Sequence, residues 1–144
     1  MNKKVYKRLT GELRKIKDSK DKSELDGIEI NPTDDALIWV AKIKGPISSP
    51  FENAIFDVLI RFPEEYPFKP PSIRFLDANR IFHPNVYRDG KICVDILQNN
   101  WAPALNVCNV LISLRSLLED PNPSSPANRN AAILYVDNLS LIHI

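Results

Sequence analysis

The residues with the most chemical potential lie between His83 and Trp101. The segment reads His83-Pro84-Asn85, then Asp89-Gly90-Lys91-Ile92-Cys93-Val94-Asp95-Ile96-Leu97, and closes on Trp101-Ala102-Pro103-Ala104-Leu105. One thiol, Cys93, follows a glycine turn, with the amide of Asn85 upstream and the carboxylate of Asp95 two residues downstream. Acyl transfer through sulfur needs a soft nucleophile, a donor for the oxyanion that forms on the attacked carbonyl, and polar groups that tune proton transfer. This one stretch supplies all three residue types. The competing reading, a buried small hydrophobe, leads for a lone cysteine in an arbitrary intracellular chain. His83 invites assignment as a general base on the pattern of Cys–His enzymes, but Pro84 fixes it in a rigid turn, which favours a structural role.

Asn85 stands eight residues before Cys93 and Trp101 eight after it. With His83-Pro84-Asn85 and Trp101-Ala102-Pro103, this wording resembles the ubiquitin-conjugating enzymes from Lys3 to about Asn138. Trp101-Ala102-Pro103-Ala104-Leu105 is similar to the general-purpose, lysine-directed group. His83-Pro84-Asn85-Val86-Tyr87 and Pro126-Ala127-Asn128 are similar to the histone-directed group. The resemblance implies two acyl transfers. Cys93 takes ubiquitin from the activating enzyme as a thioester, and a substrate lysine, usually presented by a ligase, then attacks that thioester. It also implies that Asn85 serves the oxyanion or braces the loop, that Asp95 positions the lysine or accepts its proton, and that Ser125 is a gate residue. His83, Pro84 and Trp101 are implied to be structural. Serine is no base at neutral pH, so an aspartate-type contribution at Ser125 requires phosphorylation. Phe68, Pro103 and Ala104 are implied as the ligase-binding tip, with Lys7 adding to it. Lys3, Lys4, Lys7 and Arg8 are implied as the contact with the acidic surface of the activating enzyme. No cofactor is implied, since ATP is consumed by the upstream enzyme. Two alternatives stand beside this reading. One is an inactive ubiquitin-binding variant or scaffold, against which the retained Cys93 counts. The other is a conjugating enzyme for a ubiquitin-like modifier, against which Asp95 counts.

Several elements must position these residues. Val5, Leu9, Leu13 and Ile16 recur at helical steps and predict an amphipathic helix over residues 2–18. Gly11 costs that helix on the order of 1 kcal/mol relative to alanine. Strands are expected at Ile28 and Ile30, before a turn at Asn31-Pro32, then over 36–43, 54–62 and 72–75. Between the last two, four prolines fall within residues 62–71 and make a stiff surface loop that carries Phe68. Asn106 is expected to cap a core helix running to about Glu119, with Val107, Leu111, Leu114 and Leu118 inward and Val110 and Leu117 beside them. Cys108 falls in its first turn as a structural residue, and the resemblance places Asn109 and Ser113 of this helix beside the carried ubiquitin. A further helix is expected from Pro126 to about Asp137. The sum is an α+β fold: one helix, a four-stranded antiparallel meander, a long active-site loop, a core helix and a C-terminal helix. The resembled family usually has a glycine pair where Asn53 and Ala54 stand, so the loop Phe51-Glu52-Asn53-Ala54 is expected to run differently.

Composition bounds the rest. A chain of 144 residues with 44% hydrophobic residues buries one core. Two cysteines make no disulfide framework, and no His/Cys spacing suits zinc. No apolar run reaches membrane-spanning length, and a reducing compartment, cytosol or nucleus, is expected. Net charge is +1, yet nine of the 19 Lys and Arg lie in residues 1–22 against three acids. That basic end suits an acidic protein partner, whereas nucleic acid is not expected, because Tyr6 alone among aromatics lies there. A monomer is expected. The catalytic domain is assigned to 1–138. Residues 139–144, Leu-Ser-Leu-Ile-His-Ile, equal the translation of CTG TCT CTT ATA CAC ATC, a transposase end used in sequencing libraries. They are therefore expected to be a non-native tail that replaces the family's last helix.

Overall fold

The computed structural model describes residues 3–18, 25–49, 51–76, 83, 85–87, 89–92, 95–97 and 99–120. Helix α1 spans Lys3–Asp18, strands β1 to β4 span Ile28–Pro32, Ile38–Lys44, Ile55–Arg61 and Ser72–Phe75, a 3-10 turn covers Asp95–Leu97, and helix α2 spans Val107–Glu119. The four strands pair antiparallel in sequence order, which is the expected meander. Strictly alternating burial produces two faces. Trp39, Ala41 and Ile43 of β2 point inward with Phe56, Val58 and Ile60 of β3 and with Ile73 and Phe75 of β4. Val107, Val110, Leu111, Leu114 and Leu118 of α2 join Val5 and Leu9 of α1 in the same core.

Strand β1 runs further than expected. Pro32 pairs with Trp39 instead of turning away, which an edge strand permits because, among the described residues, no strand on its other side needs the missing N–H. The turn into β2 is later and is chemically explicit: Leu37 N–H donates to Asp35 Oδ1 at 2.9 Å, and Thr33 Oγ1 donates to the Ile38 carbonyl at 2.7 Å. Residues 51–54 close by a turn, with Ala54 N–H on the Phe51 carbonyl at 3.0 Å and Gly45 N–H on the Ala54 carbonyl at 2.9 Å. Neither Asn53 nor Ala54 uses a positive φ there, so this closure makes no demand for glycine at either place. Gly11 has open space around it, and nothing in its contacts explains its choice over alanine.

Helix α2 begins with the expected cap in reciprocal form. Asn109 N–H donates to the Asn106 side chain at 2.9 Å, and Asn106 N–H donates to Asn109 Oδ1 at 3.0 Å. The expected helix over 126–137 and residues 139–144 lie outside the described residues.

Candidate active site

A short hairpin stands immediately before residue 93 in the sequence. Gly90 N–H donates to the Tyr87 carbonyl and Tyr87 N–H to the Lys91 carbonyl, at 2.9 and 2.8 Å, while Val86 bridges Ile92. Gly90 has φ near 91°, and Phe75 N–H donates to its carbonyl at 2.9 Å. A Cβ at Gly90 would overlap the Phe75 carbonyl oxygen, so the backbone of the turn lies directly against β4. Lys91 N–H donates to Asp89 Oδ1 at 3.1 Å and completes the turn.

The upstream end of this hairpin is held by His83, which is 1% exposed. Its Nε2 meets the Leu117 carbonyl of α2 at 2.7 Å, and Asn85 N–H donates to its Nδ1 at 2.9 Å. A carbonyl can only accept, and Nδ1 here accepts, so the ring is the neutral tautomer with its proton on Nε2. Burial lowers its pKa to about 4, against the opposing pull of the Leu117 carbonyl. Both ring nitrogens are thus occupied by backbone. Phe51 lies beside the ring, centroids 6.0 Å apart, so the 51–54 loop, distant in sequence, touches the segment that leads to residue 93. Asn85 is also buried, at 1% exposure.

On the far side, Trp101 Nε1–H donates to the Pro67 carbonyl at 2.8 Å. This bond ties the segment carrying Pro103 and Ala104 to the proline-rich loop carrying Phe68. Aromatic rings continue the brace inward: Trp101 to Tyr66 at 5.9 Å, Tyr66 to Phe62 at 4.8 Å, and Phe62 to Trp39 of β2 at 4.8 Å. Phe68 remains 75% exposed on that supported loop, with Pro103 and Ala104 exposed on the other.

The residue that sequence reasoning missed is Glu12. It occupies the Val5–Leu9 stripe of α1 and is buried. Its Oε2 accepts from Arg8 Nε at 2.9 Å and from the Tyr66 hydroxyl at 2.6 Å, while Oε1 accepts from Val107 N–H at 3.0 Å. A carboxylate at the first amide of α2 also meets the positive end of that helix. Burial, then Glu12, push the Tyr66 hydroxyl pKa well up. Arg8 Nη2 donates to the Leu105 carbonyl at 2.8 Å, so its guanidinium faces inward, while Lys3, Lys4 and Lys7 are exposed. The signal available in the sequence was a charged residue inside an apolar stripe with an arginine four residues before it.

Cys93, Pro84 and Ser125 lie outside the described residues, and of Asp95 the backbone alone is described, in the 3-10 turn. Among the described residues, no three His, Cys, Asp or Glu side chains gather as a metal site, and no helix is long and apolar enough to cross a membrane.

Comparison with known proteins decides the family. The model of the family described as "Ubiquitin-conjugating enzyme" matches residues 8–142. The chain belongs to the ubiquitin-conjugating enzyme family. It is 50% identical over 115 residues to "Ubiquitin-conjugating enzyme E2 2" of Kluyveromyces lactis, covering 79% of this chain and 69% of that protein. The same-named protein of Saccharomyces cerevisiae is 49% identical over 115 residues, at 79% and 66% coverage. "Ubiquitin-conjugating enzyme E2 1" of Caenorhabditis elegans is 50% identical over 113 residues, at 78% and 58%. The aligned part thus spans between about half and about two thirds of these relatives' own length. The family's kind are acyl transferases with a thioester intermediate that work with ubiquitin, an activating enzyme and ligases.

Proposed function

We propose that Cys93 is the acceptor thiol. Its thiolate attacks the carbonyl of the thioester that joins ubiquitin to the activating enzyme. A new C–S bond forms and the donor thiolate leaves, an exchange that is nearly isoenergetic and needs no strong base. A lysine amine then attacks the Cys93 thioester, the C–N bond forms, and Cys93 leaves as thiolate. The observation that carries this assignment is the hairpin formed by residues 85–87 and 89–92. It is pinned to α2 through His83–Leu117 and to β4 through Gly90–Phe75, and it immediately precedes residue 93 in the sequence.

Asn85 follows from the same turn. Its backbone is held by His83, a rigid base from which the side-chain amide serves the oxyanion; one such donor is worth about 2.7–4 kcal/mol in acyl transfer. Asp95 positions the lysine and takes its proton, and Ser125 gates its approach. His83 is not assigned proton transfer, because both its nitrogens are bonded to backbone. Phe68, Pro103 and Ala104 form the ligase-binding tip with Lys7, an exposed apolar group on braced loops. Lys3, Lys4 and Lys7 meet the acidic face of the activating enzyme, and Arg8 supports that surface from within. The protein works as a monomer in cytosol or nucleus, without a cofactor of its own.

Charging with activating enzyme, ATP and ubiquitin tests this reading. A reductant-sensitive adduct is expected, absent from Cys93→Ala. Asn85→Ala is expected to slow discharge onto free lysine more than it slows charging. An adduct of undiminished yield on Cys93→Ala would refute the assignment.

A further inference from the structure

The outer face of the sheet, opposite the core, carries a cationic depression. A concavity of about 180 Å³ is lined by Leu59, Arg61, Ser72, Arg74 and Lys91. Register explains their meeting. Arg61 pairs with Ser72 across β3 and β4, Leu59 pairs with Arg74, and Arg74 bridges Lys91 of the hairpin, so all five side chains leave the same face. The three cations are far apart in sequence and adjacent in space. None of the three makes a side-chain hydrogen bond or ion pair among the described residues. The adjoining row of the same face is different: Lys42 lies 4.0 Å from Asp57 and is paired with Glu29 on β1. Like charges gathered without a counter-ion repel one another, and among the described residues Arg61, Arg74 and Lys91 are held together in that arrangement.

We propose that this depression binds the phosphoryl group of a phosphorylated serine or threonine on a partner polypeptide. The donor set selects the chemistry. Two guanidinium forks, one ammonium and one hydroxyl offer more hydrogen bonds than the two oxygens of a single carboxylate accept, whereas a phosphate monoester presents three terminal oxygens and up to two negative charges. The volume suits one compact anion. A nucleic-acid backbone needs cations spaced along a track with aromatic platforms, and the paired Lys42–Asp57 row interrupts any such track. Leu59 provides an apolar floor against which the carbon chain of the phosphorylated residue rests.

The probe is a phosphoserine pentapeptide, Gly-Ala-pSer-Ala-Gly, titrated into the full ¹⁵N-labelled chain and followed at the Arg61 and Arg74 Nε–H signals and the backbone amides of 59–61 and 72–74. Saturable shifts at these positions, with none from the unphosphorylated peptide, are expected. Inorganic phosphate should reverse them by competition. The double variant Arg61→Gln/Arg74→Gln should bind at least tenfold more weakly while keeping its remaining amide spectrum, which separates loss of the site from loss of the fold. Shifts no larger than those at exposed lysines of α1, or unchanged affinity in the double variant, would overturn the proposal. So would tighter binding of a single-stranded oligonucleotide at the same signals.

Discussion

Acidification should dismantle the hairpin's anchor at His83 by a calculable amount. The folded protein holds this imidazole neutral, with a pKa lowered by burial to about 4 from the ordinary 6.5. The native state therefore binds fewer protons than the unfolded chain over that interval. The stabilisation is complete above about pH 6.5 and drains away as pH falls toward about 4. At 1.36 kcal/mol per unit, the full loss is about 3 kcal/mol, of which about 2 kcal/mol is gone by pH 5. Against a typical domain stability of about 5–15 kcal/mol, that is a large share. The control is His83→Gln, whose amide can still reach the Leu117 carbonyl but does not titrate. At neutral pH this variant loses about 1–3 kcal/mol, because the Asn85 N–H keeps no acceptor. Urea unfolding followed by circular dichroism from pH 7.5 to 4.5 measures both chains. Carboxylates titrate in each, so the difference between the two pH profiles isolates the histidine. Wild type should lose about 2 kcal/mol more than His83→Gln between pH 7.5 and 5. Parallel profiles would show that the ring is not held neutral, and the bracing geometry would fall with that result.

Other perturbations follow from single contacts. Gly90→Ala forces a side chain into the Phe75 carbonyl at a positive φ, so it should destabilise by about 3 kcal/mol or more and suppress charging in proportion; wild-type midpoints in urea would contradict the close approach. Glu12→Ala leaves Tyr66 OH and Val107 N–H without their acceptor and should cost about 2–4 kcal/mol in the same unfolding assay. Trp101→Phe removes the bond to Pro67 at a cost of about 1 kcal/mol. With the proposed tip loosened, ligase-stimulated discharge should fall further than unstimulated discharge. An equal effect on both would detach Trp101 from the ligase surface.

Local pattern in the sequence accounted for the elements, and contacts across long separations escaped it. Val5 and Leu9 on one helical face, the alternation of β2 and β3, and Asn106 as a cap are all properties of neighbouring residues, and each was legible. The extra length of β1 was not, because Pro32 reads as a turn unless its strand is known to lie at the sheet's edge. Glu12 and Val107 are separated by 95 residues, and His83 and Leu117 by 34. No periodicity announces such pairs. The motif around Cys93 pointed to the family without revealing what braces the hairpin that precedes it. Arg61, Arg74 and Lys91 read singly as ordinary surface charges, and strand register alone brings them together.

The chain holds two thiols, and half-exposed Cys108 in the first turn of α2 is the internal competitor for the modifier. Peptide mapping by mass spectrometry of the non-reduced charged protein distinguishes them. The ubiquitin C-terminus should be found on Cys93, with charging intact in Cys108→Ser and converted to a reductant-resistant ester in Cys93→Ser. A thioester recovered on Cys108, or persisting in Cys93→Ser as a reductant-sensitive bond, would contradict the assignment.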